Sequence, residues 1–391
     1  MIRRLALIVL AGICSLHSFA IVPPAPRVVD LTAPDGTKLK ATYFASGKPG
    51  PGVMLFHQCN RDRKMWNDLA PRLAELGLNI LTLDFRGYGD SGGTAQFKLS
   101  PQEAQRMVVE TWPHDVDTAF TYLLSQPGVA QDVIGAGGAS CGVNQSIQLA
   151  RRHANVKSLV LLSGSTDHEG RHFLHDSPQL PIFASAADDD GGAVEVVQWI
   201  LSVSRNPGNQ FQHYQKGGHG IEMFAPHSEL SSLIVNWFDT TLLKTPGRPP
   251  ENRAGTNAPP AGMSILETID EPGGAAKAAE LLAQARKSDP KVTLFPEGIA
   301  NLIGYEHLQA GDNKGAIEIF KLNIAAYPDS PNTYDSLADA YAADGQSDLA
   351  IQTSEKVLKM IESDTRDSED RRKIVRDSAE QRLKQLRSDV K

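Results

Sequence analysis

Residues 137–142, Gly-Gly-Ala-Ser-Cys-Gly, set a hydroxyl beside a thiol in a run of small neighbours. Either Ser140 or Cys141 could attack a carbonyl once a nearby base takes its proton. The glycines discriminate between them. Gly138 and Gly142 flank Ser140 at two positions on either side, whereas the register centred on Cys141 puts Ala139 and Val143 there. A nucleophile held on a sharp strand-to-helix turn needs neighbours without bulky side chains, so the G-x-S-x-G spacing favours Ser140. A second pattern, His168-Glu169-Gly170-Arg171-His172, has the H-E-x-x-H spacing by which a helix offers two imidazoles to zinc, and His175 follows it. Gly170 in its middle and the lack of an apolar run before His168 argue instead for a loop that lines a pocket or stands in solvent.

These side chains need elements to hold them. Gly52–Phe56, Leu78–Asp84, Asp132–Gly138, Ser158–Gly164 and Pro181–Ala187 read as buried strands. Met65–Leu76, His114–Leu124, Val143–Arg152 and Ala193–Val203 read as the helices between them. The alternation predicts an α/β fold, a doubly wound and mostly parallel sheet with helices on both faces. An antiparallel hairpin turned at Asp35-Gly36 precedes it. Strand 132–138 runs through Ser140 into the helix that starts near Val143, so the serine stands at a helix N-terminus whose N–H groups can hold an oxyanion.

In that context the stretch resembles the nucleophile elbow of the α/β-hydrolase superfamily. Asp84–Gly93, Asp-Phe-Arg-Gly-Tyr-Gly-Asp-Ser-Gly-Gly, resembles the D-x-R-G-x-G-x-S turn after a central strand of the same superfamily. The resemblance covers roughly Val28–Leu243 and implies an exported serine hydrolase with an esterase-like or dienelactone-hydrolase-like core. Dienelactone hydrolases carry cysteine at the elbow, which would require the Cys141 register. The resemblance further implies a triad in the order Ser140, Asp190, His219, with Asp189 as the near alternative acid. His219 lies between glycines on a loop, and the acid follows strand 181–187. Backbone N–H groups of Cys141 and of Gln58 or Cys59 would form the oxyanion hole, with Gln58 in the place of the family's glycine. His57 would anchor its loop. Cys59 and Cys141 then stand on the two loops that build the hole, where a disulfide could join them; the alternative is that Cys141 is a small buried side chain. The segment Gly-Asp-Ser-Gly-Gly within 84–93 is also similar to the nucleophile segment of trypsin-like proteases, but that fold is all-β, so Ser91 reads as a turn residue.

The reaction so implied is acyl transfer from a small ester or short peptide to water, with no metal and no organic cofactor. The modest covers, residues 163–179 and 94–112, point to an open site. Two readings of other classes stand beside it: a zinc-dependent hydrolase using His168 and His172, and an inactive core serving as a repeat-mediated binding protein.

The chain has 391 residues, which is long for a single domain. A net charge of -7 disfavours nucleic acid or an anionic membrane surface as a main partner. Residues 1–20 read as a signal peptide, with a basic start, a short apolar run and a small-x-small end, so the expected location is exported, periplasmic or secreted, with no stable membrane span. Ile13 before Cys14 argues against a lipoprotein signal. Residues 21–243 form the expected hydrolase domain and 244–272 a Pro/Gly-rich linker. Residues 273–391 form an all-α domain that resembles tetratricopeptide repeats. Gly304 and Ala338, Gly311 and Gly345, and Ala316 and Ala350 are each 34 positions apart. Ala275–Ala285 and Arg371–Leu386 are the expected capping helices. Such repeats imply a possible protein partner.

Overall fold

The computed structural model describes residues 23–246 and 263–388. The expected signal peptide and residues 247–262 of the expected linker lie outside the described residues. Short apolar runs of the first half form one 8-stranded sheet. Its strands are β1 (Arg27–Thr32), β2 (Lys38–Phe44), β3 (Gly50–Phe56), β4 (Asn79–Leu83), β5 (Val129–Ala139), β6 (Val156–Leu162), β7 (Ile182–Ala187) and β8 (Gln210–Tyr214). The order across the sheet is β1-β2-β4-β3-β5-β6-β7-β8. β1 and β2 form the antiparallel hairpin, with Gly36 at φ 87° in its turn, and β2 runs antiparallel to β4. All other pairings are parallel. This is an α/β-hydrolase-like sheet followed by a helical region.

Parallel strands need crossovers, and here the crossovers bury both faces of the sheet. The helices of this half are α1 (Leu69–Leu76), α2 (Pro101–Arg106), α3 (Trp112–Leu124), α4 (Cys141–Arg152), α5 (His168–His175), α6 (Ala193–Ser204) and α7 (Glu229–Phe238). Side chains of α1 and α7 fill one apolar cluster, and those of α3, α4 and α6 fill the other. The chain crosses from β3 to β4 on one side, then passes back over β3 to β5 on the other. The crevice above the carboxyl ends of β3 and β5 is therefore the switch point where such sheets bind ligands.

The C-terminal half consists of α8 (Met263–Asp270), α9 (Gly274–Ala285), α10 (Glu297–Gln309), α11 (Asn313–Ala326), α12 (Pro331–Ala343), α13 (Ser347–Ser363) and α14 (Glu369–Ser388). α8 corrects the sequence reading, which gave residues 263–272 to the linker. Its Met263, Leu266 and Ile269 recur at helical spacing and are buried. They extend the same apolar cluster that contains α6, so the helical region is fused to the core. In the next hairpin a side chain at Gly304 would come within 2.4 Å of the Phe320 ring, which is why α10 and α11 can lie so close. Gly311 and Gly345 take positive φ in the two turns, 81° and 73°.

Candidate active site

β5 ends at Ala139 and α4 begins at Cys141, so a single residue makes the corner. That residue, Ser140, has φ 53° and ψ -121°, a strained conformation for a non-glycine residue. The flanking glycines permit it. A side chain at Gly138 would fall 2.1 Å from the Gly142 carbonyl oxygen, and one at Gly142 would fall 2.5 Å from the Phe56 carbonyl oxygen. The second approach brings the start of α4 against the end of β3. The first N–H groups of a helix have no intrahelical partner, so that of Cys141 is free to face a ligand beside Ser140.

Asp190 follows β7 and His219 follows β8, on adjacent strands. His219 Nδ1 lies 2.9 and 2.8 Å from the two carboxylate oxygens of Asp190. An ionised carboxylate only accepts, so Nδ1 carries the proton and Nε2 is left for a nucleophile. The Asp190 hydrogen bond raises the His219 pKa above that of an ordinary imidazole, against the opposing effect of burial. Asp189 has a different task. Its Oδ1 accepts from the backbone N–H groups of Gly217 and Gly218, both at 3.0 Å, and these bonds lower its pKa. It fixes the loop that carries His219, while Asp190 holds the ring.

The loop after β3 is tied to the elbow by a Cys59–Cys141 disulfide with Cα atoms 5.8 Å apart. Cys141 is therefore no free thiolate. Gln58, considered from sequence only for its backbone, has a fully buried side chain. Its Nε2 donates to Asn60 Oδ1 at 2.7 Å, and its Oε1 accepts from the N–H of Ile221 at 2.9 Å. Gln58 thus links the β3 loop to the His219 loop, a role no local pattern announces. His57 anchors its loop: Nδ1 lies 2.8 Å from the Gln58 carbonyl, and Nε2 accepts from the N–H of Phe85 at 2.9 Å. Burial lowers its pKa, which keeps it neutral. Ser91 donates to the Asp84 carbonyl at 2.8 Å and accepts from the N–H of Lys40 at 2.9 Å, the work of a turn residue.

The H-E-x-x-H stretch corrects a second expectation, because it is helix α5 and not a loop. Asp167 caps it by accepting from the N–H of Gly170 at 2.9 Å. Gly170 fits because a side chain there would fall 2.0 Å from Thr166 Oγ1. His168 and His172 do share one face, with ring centroids 4.2 Å apart. Each faces an acid at the end of α8, Asp270 at 3.1 Å and Glu271 at 3.4 Å. Among the described residues no group of three or more His, Cys, Asp or Glu side chains could hold a metal ion.

Ser140, Cys141, Asp190 and His219 open onto one cavity of about 870 Å³. Gln96, Val108 and Val109 bound it on one side, and Leu302 and Glu306 of α10 on another. Residues 116–198 match the family described as BAAT / acyl-CoA thioester hydrolase C terminal. The match runs from α3 into α6 and so contains the elbow and Asp190. An uncharacterized protein of Mycobacterium tuberculosis is 40% identical over 93 residues, which are 23% of this chain and 32% of that protein. Thiohydrolase aneE of Aspergillus aculeatus is 28% identical over 136 residues, 34% of this chain and 39% of its own. The matched stretch thus spans about a third of these relatives' lengths. Among solved structures, an esterase of Pyrococcus furiosus aligns with a TM-score of 0.46 at 17% identity, covering 55% of this chain and 91% of that one. The acylaminoacyl peptidase of Pyrococcus horikoshii aligns with a TM-score of 0.46 at 15% identity, covering 57% and 42%.

Proposed function

We propose that the chain is a serine hydrolase of esterase or thioesterase type. The observation that carries this reading is the bidentate grip of Asp190 on His219, in the same cavity as a strained Ser140 elbow. His219 Nε2 takes the Ser140 proton as Oγ attacks the acyl carbon, and the imidazolium that forms is stabilised by Asp190. The oxyanion is held by the backbone N–H groups of Cys141 and of the Gln58–Cys59 segment. His219 then protonates the leaving group, and water, activated by the same ring, releases the acyl group. The family matched by residues 116–198 and the thiohydrolase likeness bring thioesters into range beside oxygen esters.

Asp167, Glu169, Asp270 and Glu306 line the cavity, and no lysine or arginine does among the described residues. The disulfide beside the elbow supports export to an oxidising compartment. The 34-residue spacing of the helical hairpins supports a tetratricopeptide-like region, an architecture suited to a protein partner. A fluorophosphonate probe tests the chemistry. It should label the wild type and Cys141→Ala but not Ser140→Ala, and nitrophenyl ester turnover should follow the label. Labelling that survives in Ser140→Ala would refute the assignment.

A further inference from the structure

The cavity is not closed by the hydrolase half alone. Asp270 and Pro272 at the end of α8, and Gly298, Leu302, Glu306 and Gln309 along α10, line the same cavity as Ser140 and His219. These α10 positions are three or four apart, so they share one face of the helix.

This wall is built in place and is not a loose arm. Arg171 of α5 is buried, and its five N–H groups are matched by five acceptors across the two halves. Nε and Nη2 reach the two carboxylate oxygens of Asp270 at 2.9 and 2.7 Å. Nη1 and Nη2 reach those of Glu306 at 3.1 and 2.5 Å, and Nη1 also reaches the Thr166 carbonyl at 2.6 Å. The guanidinium lies over the Trp199 ring, 4.4 Å from its centroid. One side chain therefore pins α8 and α10 to the core at the edge of the cavity, and Leu302 packs on the same apolar cluster.

Gly298 gives the wall a purpose. Glycine in a helix interior is kept where a positive φ or a close neighbour demands it, whereas Gly298 is the second residue of α10 and is exposed. Gly304, two turns further on, is demanded by the Phe320 ring. A side chain at Gly298 would meet nothing within 4 Å, and Gly298 has no positive φ. Gly298 is exposed at the rim of the cavity, so a larger side chain there would extend into open space beside the other lining residues.

We propose that α10 is the size-selecting wall of the active site, with Gly298 and Leu302 setting how much bulk a substrate can carry on the side away from Ser140. The proposal rests on the serine-hydrolase reading above. It also means that the α10 face a repeat would offer to a protein partner is turned to substrate instead.

The test compares nitrophenyl acetate with two bulkier neutral esters, nitrophenyl decanoate and naphthyl acetate, so that bulk is varied in the acyl part and in the leaving part. Gly298→Leu and Leu302→Trp in the full-length protein narrow the cavity from two points of α10. Each should lower kcat/KM for one or both bulky esters at least fivefold more than for nitrophenyl acetate, since shape differences of this size in a pocket change selectivity by tenfold or more. Gly298→Ala adds one methyl group in open space. It should melt no lower than the wild type and shift the same ratio in the same direction by a smaller amount. Ratios unchanged in Gly298→Leu and Leu302→Trp, with all esters still turned over, would overturn the wall and leave the serine mechanism standing. A wild type that hydrolyses none of the esters and takes no fluorophosphonate would overturn both.

Discussion

Breaking the Cys59–Cys141 bridge tests whether the elbow and the oxyanion loop are held together by covalent constraint. The bridge joins residues 82 positions apart, so it closes a large loop in the unfolded chain. Loop-closure entropy for that length amounts to about 4.5 kcal/mol at 25 °C. For a cooperative unit of some 200 residues this corresponds to a fall in Tm of roughly 10–18 °C. The perturbation is made in two ways, reduction of the native protein and the Cys59→Ala/Cys141→Ala double variant, which leaves no lone thiol. Thermal unfolding followed by near-ultraviolet circular dichroism reads the stability. A functional cost should accompany it well below the melting temperature, because both cysteines flank groups proposed to hold the oxyanion. Removing a single oxyanion donor costs about 10²–10³ in kcat, so loosening one whose N–H remains present should cost about tenfold. The expected signature is a lower Tm and a lower kcat with KM little changed. A bridge-free protein that melts within about 2 °C of the wild type and turns over at the same rate would refute the argument.

Asp190→Asn should lower kcat by about 10⁴, the scale of losing the group that fixes the imidazole tautomer, whereas Asp189→Asn should cost far less because it loosens only the Gly217–Gly218 backbone. Steady-state kinetics on a single ester separates the two. The base must be neutral to act, so the acid limb of kcat/KM should lie above the ordinary imidazole value of about 6.5 and move to lower pH in the residual activity of Asp190→Asn. The same raised pKa makes the His219–Asp190 contact stabilise the fold fully below the unfolded-state pKa and lose that effect as pH rises through the folded-state value, which melting curves taken across this window will show. Arg171→Met should destabilise by about 3–5 kcal/mol in chemical denaturation, because it leaves Asp270 and Glu306 buried without their counter-charge.

The strands and the elbow could be read from local pattern because they depend on it. Buried parallel strands are continuous apolar runs, and a strained nucleophile needs glycines at fixed offsets whatever surrounds it. The acid could not be fixed to one residue, since Asp189 and Asp190 are adjacent in sequence and only the path of the chain after β7 decides which meets His219. Strand β8 shows no apolar run in the sequence because Gln210–Tyr214 is an edge strand, largely half-buried and polar. Helix α5 is hidden in the sequence by Gly170, whose place in a helix is set by the Thr166 side chain packed on it. The wall from α10 was invisible for a different reason. It reaches the cavity through contacts between residues more than a hundred positions apart, such as Arg171 with Glu306, and no window of sequence contains both.

Three loops carry the groups proposed to react, and they are joined to one another as well as to the sheet. From Cys141 the disulfide leads to Cys59, the neighbouring Gln58 reaches Ile221, and His219 two residues before it is gripped by Asp190. A displacement of any one loop is therefore opposed by the other two. On the proposed mechanism, the entropy of arranging nucleophile, base and oxyanion donors is lost once, during folding, and substrate binding need not supply it at each turnover.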